Sequence, residues 1–232
     1  MEPSHAPAGP NSASDRAPVA VVVPVKAFHL AKQRLADVLD ADQRSRLARH
    51  LADGVATAVQ RASDEVMAVD LLVACDDDEV RTWASERGAT IVSTDGLDLN
   101  ESVEAGIDAA IAGGAGHVVV AHADLARPAT LLDVVRSGTI VLVPDRRRDG
   151  TNVMAFPAPC RVVADYGTGS FRRHLTAATL VAEMHEATIR VLASPELALD
   201  VDTTTDLLHP ATRKGLPSWL RTHQANPSTP RG

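Results

Sequence analysis

Three aspartates and one short basic stretch are the residues of this chain best equipped for chemistry. In "LALDVDTTTDL" (197–207), Asp200 and Asp202 flank Val201. On an extended chain, alternation puts both carboxylates on one face. Two like charges side by side repel unless a cation lies between them. Asp124 closes the apolar run "HVVVAHAD". An acid at the end of a buried strand suits a hard cation such as Mg2+, toward which Asp200 and Asp202 could also point. The same residues also read as two solvated acids on an edge strand and a helix N-cap at Asp124.

"PVKAFHLAKQRL" brings Lys26, Lys32 and Arg34 within nine residues. Such a cluster after a first strand suits a polyphosphate, whose charge it neutralises, although it also reads as an exposed basic loop. Neither a Walker loop nor the glycine fingerprint of dinucleotide folds is present, so side chains would do most of the phosphate binding. "DGTNVM" offers Gly150, Thr151 and Asn152. "DYGTGSFRRH" puts Gly167 and Gly169 before Ser170 at an expected helix start. Free amides there suit an anion, with Arg172, Arg173 and His174 expected to add positive charge; a glycine loop with a serine N-cap is the plainer reading. His122 reads as structural, since magnesium prefers carboxylates and phosphate oxygens to imidazole.

The elements that must position these residues alternate. "PVAVVVPVK", "VDLLVAC", "TIVS", "HVVVAHAD", "TIVLVPD", "TNVMAFP" and "TIRVLA" are expected strands. A helix over 40–62 repeats Leu47, Leu51, Val55 and Val59, with Asp40 and Gln43 as a capping box. Further helices are expected over 76–88, capped by Asp76 or Asp77 and ended by Gly88, then over 99–114, 128–138 and 169–179. Residues 197–202 are expected to form a half-buried strand. The pattern predicts an α/β fold with a mostly parallel sheet, helices on both faces, and ligands at the strands' carboxyl ends. Residues 1–17 and 222–232 read as disordered tails around a single domain over 18–221.

Composition narrows the function. The chain has 232 residues, 45% hydrophobic and 23% charged, which is ordinary for a globular protein. A net charge of -7 and only 3% aromatic residues disfavour nucleic acid as a partner. The two cysteines, Cys75 and Cys160, read as reduced packed thiols. No apolar run is long enough for a membrane span, and no secretory signal is recognisable, so a cytoplasmic location is expected.

Taken in order, "PVKAFHLAKQRL", "LNESVEAGI", "ADLARP", "DGTNVM", "YGTGSFRRH" and "LDVDTTTDL" resemble the motifs of the guanylyltransferases of coenzyme F-420 biosynthesis, which act on 2-phospho-L-lactate or phosphoenolpyruvate. The resemblance spans nearly all of residues 19–208. It implies a single-domain GT-A-like nucleotidyltransferase fold, Rossmann-like, with GTP as donor and Mg2+ as cofactor. It also implies that Lys26, with Lys32 and Arg34, holds the GTP phosphates, and that Asn100 lies near the guanine or ribose. Asp124, Asp200 and Asp202 would form the metal cluster; Thr151, Gly167 and Ser170 would hold the phosphorylated acid. Lys26 and Asp124 are the expected catalytic residues.

In that chemistry an oxygen of the acceptor phosphate attacks the α-phosphorus and pyrophosphate leaves. A phosphate monoester is already largely ionised at neutral pH, so no general base is needed. The family usually carries Gly-Asp-Leu-Pro where this chain has Ala123-Asp124-Leu125-Ala126, a change expected to alter the turn. No role is evident for Arg146-Arg147-Arg148. A 3-phosphoglycerate acceptor, another nucleotide, and a non-catalytic nucleotide-binding domain stay open. So does the oligomeric state, a homodimer included. A transferase that consumes the product is the expected downstream partner.

Overall fold

The computed structural model describes residues 18–65 and 68–223. The tails expected at 1–17 and 222–232 lie outside the described residues, except that residues 222 and 223 finish the last helix. Seven strands form one sheet: β1 (Val19–Pro24), β2 (Val69–Cys75), β3 (Thr90–Ser93), β4 (His117–Ala121), β5 (Thr139–Pro144), β6 (Thr151–Pro157) and β7 (Thr188–Val191). Their order is β3-β2-β1-β4-β6-β5-β7. β6 runs antiparallel to both its neighbours and every other pairing is parallel.

The period of two along β1 explains its unbroken apolar sequence. Val19, Val21 and Val23 pack to one side, with α1 (Ala41–Glu65) and α2 (Asp78–Ser85). Ala20 and Val22 pack to the other, with α3 (Leu99–Ala112) and α4 (Ser170–His185). A strand covered on both faces has no side on which a polar residue would be solvated. Asp40 and Gln43 exchange the two capping-box hydrogen bonds at the start of α1, and Asp77 caps α2.

A third, smaller cluster closes the carboxyl end of the sheet. Leu35, Leu39, Leu47 and Leu51 meet Leu199, Val201, Leu207, Leu216 and Leu220 there. The last four residues of that set belong to or adjoin α5 (Thr204–Leu208) and α6 (Ser218–His223).

Two expected elements are replaced. Residues 128–138 do not form an α-helix: Pro128–Val134 is a 3-10 segment broken at Thr130, and its Leu131 and Val134 are buried against the core. Residues 197–202 are not a strand but a turn followed by one isolated bridge, Leu125 to Asp200. The alternation nonetheless survives, because Leu199 and Val201 are buried in the third cluster while Asp200 and Asp202 face a cavity.

Close contact between α3 and β1 depends on Gly106. A Cβ at that position would lie 2.4 Å from Cγ1 of Val22, a stiff side chain that cannot swing away. Gly106→Ala should therefore cost about 1–3 kcal/mol of stability. An unchanged urea midpoint would show that α3 lifts off the sheet freely.

Candidate active site

A cavity of about 640 Å³ opens at the carboxyl end of the sheet. The loop after β1 supplies Lys26, Lys32 and Arg34; the loop after β4 supplies Asp124. Because β6 is antiparallel, its first residue, Thr151, lies at this same end. Gly167 and Ser170 come from the start of α4, and Asp200 and Asp202 from the segment before α5. Of the ten residues that the resemblance assigns to substrates or metal, nine line this cavity and Asn100 does not. A second cavity of about 670 Å³ lies between α1 and the 128–134 segment, away from the convergent acids and lysines.

Lys32 sits at the centre of the acidic group. Its Nζ donates to Asp124 Oδ2 at 2.5 Å and to Asp202 Oδ1 at 3.1 Å, with the lysine side chain only 7% exposed. The residue adopts a left-handed backbone, φ 55°, unusual without glycine. Buried Leu35, three residues on, anchors the turn that follows it. Burial pulls the Lys32 ammonium down, but the two carboxylates outweigh it and hold the group above its ordinary value. Burial likewise pushes Asp124 up, yet the Lys32 charge leaves its carboxyl below the usual range. The cation that the paired acids require is therefore supplied within the chain, between Asp124 and Asp202 rather than between Asp200 and Asp202. Arg34, largely exposed, reaches Asp202 Oδ2 at 3.4 Å. Lys26 is exposed and makes no ion pair among the described residues.

Asp200 stands apart from this pair. Its Oδ1 accepts from Asn152 Nδ2 at 3.4 Å, and Asn152 also donates to the Leu197 carbonyl at 3.0 Å. Burial, and then the charge of Asp124, push the Asp200 carboxyl up to about 6. Asp124 Oδ1 is buried without a hydrogen-bond partner among the described residues, with His122 Nδ1 4.0 Å away. A raised carboxyl beside an orphaned carboxylate oxygen is a donor set short of positive charge, and its hard oxygens fit a divalent ion such as Mg2+. Among the described residues no three metal-binding side chains form a ready-made site, since Asp124 and Asp202 are turned to Lys32.

The wall that carries Thr151 and Ser170 is tied together by an uncharged histidine, with Asp145 and Asp149 also lining the cavity beside it. His174, fully buried, links two segments: the Asp165 N–H donates to its Nε2 at 2.9 Å, and its Nδ1 lies 2.9 Å from Thr151 Oγ1. Nε2 is thus the acceptor and Nδ1 carries the proton, which it donates to Thr151. The Thr151 N–H in turn donates to Ser170 Oγ at 3.2 Å. Burial drives His174 down to about 4, so it contributes no charge near neutral pH, contrary to the expectation from "FRRH". Arg173 is spent on carbonyls of its own loop.

Asn152 and Tyr166 also line the cavity without having been named as site residues, although both fall within motifs that were noted. The three arginines acquire roles. Arg146 and Arg147 bind buried Asp206, which forms a capping box with Thr203 at the start of α5, and Arg148 lies over the Phe171 ring.

A profile of the family described as guanylyl transferase CofC like matches residues 19–211. The chain is 36% identical over 191 residues to a phosphoenolpyruvate guanylyltransferase of Sphaerobacter thermophilus, covering 80% of this chain and 89% of that one. It is 34% identical over 195 residues to the enzyme of the same name from Rubrobacter xylanophilus, covering 82% and 91%. Among solved structures, a Desulfovibrio desulfuricans protein described as a nucleotide-diphospho-sugar transferase superposes with a TM-score of 0.67 at 18% identity, covering 89% of this chain and 95% of that one. A nucleotidyl transferase from Methanothermobacter gives 0.52 at 16%, covering 83% and 94%. The structural likenesses establish the fold.

Lys32→Met keeps the bulk of the side chain and removes the charge, leaving two carboxylates facing each other. It should destabilise the protein by about 3 kcal/mol, read as a urea midpoint. A variant as stable as the parent would show that the pair carries no net weight. His174 is held below its ordinary 6.5 by folding. The unfolded chain therefore binds more protons in acid, and this contribution to stability is complete above about pH 6.5 and declines as pH falls towards 4. His174→Gln should flatten that part of the stability–pH curve; an identical slope would contradict the assignment.

Proposed function

The chain belongs to the CofC-like guanylyl transferase family and has the fold of the nucleotide-diphospho-sugar transferases, and on that premise we propose that it transfers GMP from GTP to a small phosphorylated carboxylic acid. Phosphoenolpyruvate or 2-phospho-L-lactate is the acceptor, pyrophosphate is the leaving product, and coenzyme F-420 biosynthesis is the setting. The observation that carries this reading is a single cavity presenting an unpaired lysine, an acidic group under-supplied with positive charge, and a glycine loop at a helix start. The names of the relatives favour phosphoenolpyruvate.

Lys26 and Arg34 would hold the triphosphate, and Lys32 would exchange part of its hold on the acids for a phosphate oxygen. Thr151, Gly167 and Ser170 would seat the acceptor. Asp124, Asp200 and Asp202 would hold Mg2+, which when bound neutralises charge on the transferring phosphoryl group. An acceptor phosphate oxygen forms a bond to the α-phosphorus while the bond to the β-phosphate's bridging oxygen breaks and pyrophosphate departs. The acceptor is already an anion, so the chain's task is alignment and charge neutralisation rather than proton transfer. The phosphoanhydride product would be consumed by a transferase acting downstream.

Purified protein with GTP, Mg2+ and either acid should release pyrophosphate, with CTP giving far less. No release with phosphoenolpyruvate, 2-phospho-L-lactate or 3-phosphoglycerate would end this reading. Asp202→Ala should lower turnover by roughly 100-fold or more in a folded protein. Full activity in that variant would remove Asp202 from the metal set.

A further inference from the structure

Between β6 and α4 the chain crosses α3 as an irregular strap whose inward backbone groups are taken up by side chains. Glu104 on α3 accepts from the Ala164 N–H at 2.5 Å. One turn earlier on the same helix, Asn100 Oδ1 accepts from the Tyr166 N–H at 2.6 Å, and its Nδ2 lies 3.5 Å from the Tyr166 carbonyl. From α4, His174 accepts from the Asp165 N–H, while Arg173 donates to the carbonyls of Asp165 and Thr168.

The next three residues differ. The N–H groups of Gly167, Thr168 and Gly169 donate to no acceptor among the described residues. Gly167 has φ 121° and Gly169 φ 74°, values open to glycine, and Gly167 and Thr168 line the cavity. Successive undonated amides in such a turn form a concave anion seat. Its shape depends on the residue just before it, and Tyr166 is held by Asn100.

We propose that Asn100 is a positioning residue for the acceptor: by clasping the Tyr166 backbone it sets the Gly167–Gly169 amides for the acceptor's anionic groups, and it does not contact the nucleotide. The proposal rests on the guanylyl-transfer reading and revises the placement of Asn100 near the guanine or ribose. Asn100 does not line the cavity, whereas Leu99 beside it does. Its two amide atoms are committed to the backbone of one residue and make the only hydrogen bonds to the Tyr166 backbone among the described residues, while the Tyr166 ring packs against His122 and His174. His174 holds the strap from the other side and joins it to Thr151, so the helices α3 and α4 brace the acceptor wall jointly.

Steady-state kinetics separate the two placements. Asn100→Ala should raise KM for phosphoenolpyruvate about tenfold or more, while KM for GTP and the preference for GTP over ITP stay within about twofold. Asn100→Asp keeps an oxygen for the Tyr166 N–H and should recover most of that loss. It also carries the same comparison if the alanine variant does not fold. A raised KM for GTP, or a changed GTP-to-ITP preference, would overturn the proposal in favour of nucleotide contact. Unchanged KM for both substrates would overturn it as well. Absence of turnover in the parent protein would strike the functional reading instead, so the two failures are distinguishable.

Discussion

Gathering three carboxylates requires positive charge, and Lys32 supplies it on the buried side while the exposed Arg34 reaches Asp202 from outside. The Lys32 ammonium joins Asp124 to Asp202, residues 92 and 170 positions away in sequence. The loop after β1, the loop after β4 and the segment before α5 are thereby drawn to one point. The group remains poorly balanced: Asp200 is left with a raised carboxyl and Asp124 with an unpartnered oxygen. Such a site is held together by its protein charges yet still favours additional positive charge, the condition expected where a metal-bearing polyphosphate binds. Because folding raises the Asp200 carboxyl, stability falls as pH rises from its ordinary value to about 6 and the cost is complete above that, so this centre gives up stability in return for readiness.

Topology explains why so many distant residues reach that point. Parallel strands all end at one edge of the sheet, and loops after β1 and β4 emerge side by side because those strands are neighbours. The antiparallel β6 presents its beginning there, which brings Thr151 to the cavity and Asn152 against Asp200. A parallel strand in that slot would have presented its last residues instead. The one strand that breaks the parallel rule therefore brings Thr151 and Asn152 to the cavity, and His174 ties Thr151 to α4.

Much of this was legible in the sequence, and the remainder was not for identifiable reasons. The sheet and α1 to α4 follow from apolar runs and helical spacing, which are local properties. The alternation in "LDVD" correctly put Asp200 and Asp202 on the cavity side even though no strand forms, because Leu199 and Val201 are required by the third cluster. The 128–134 segment misled because its composition suits a helix, whereas packing of Leu131 and Val134 imposes a 3-10 path broken at Thr130. The partner of Lys32 and the charge of His174 depend on burial and on contacts remote in sequence. Asn100 was marked by its motif, but no local pattern tells whether a side chain turns to the cavity or to the chain behind it.

In Ala123-Asp124-Leu125-Ala126, where the resemblance leads to an expectation of Gly-Asp-Leu-Pro, the alanine at position 126 brings a backbone donor to the site. The N–H of Ala126 donates to the Leu199 carbonyl at 2.8 Å, and the Val201 N–H donates to the Asp124 carbonyl at 3.2 Å. These two bonds make the isolated bridge between Leu125 and Asp200. Proline at position 126 has no N–H and would remove the shorter one. Alanine therefore fastens the Asp124 loop to the segment carrying Asp200 and Asp202, so that neither can drift from the other under mutual repulsion. The carbonyl of Ala126 meets Gly215 so closely that a Cβ there would lie 1.7 Å away, which presses the carboxyl-terminal segment against the same loop. The Asp124 loop is thus secured on both sides, with its acid still directed into the cavity.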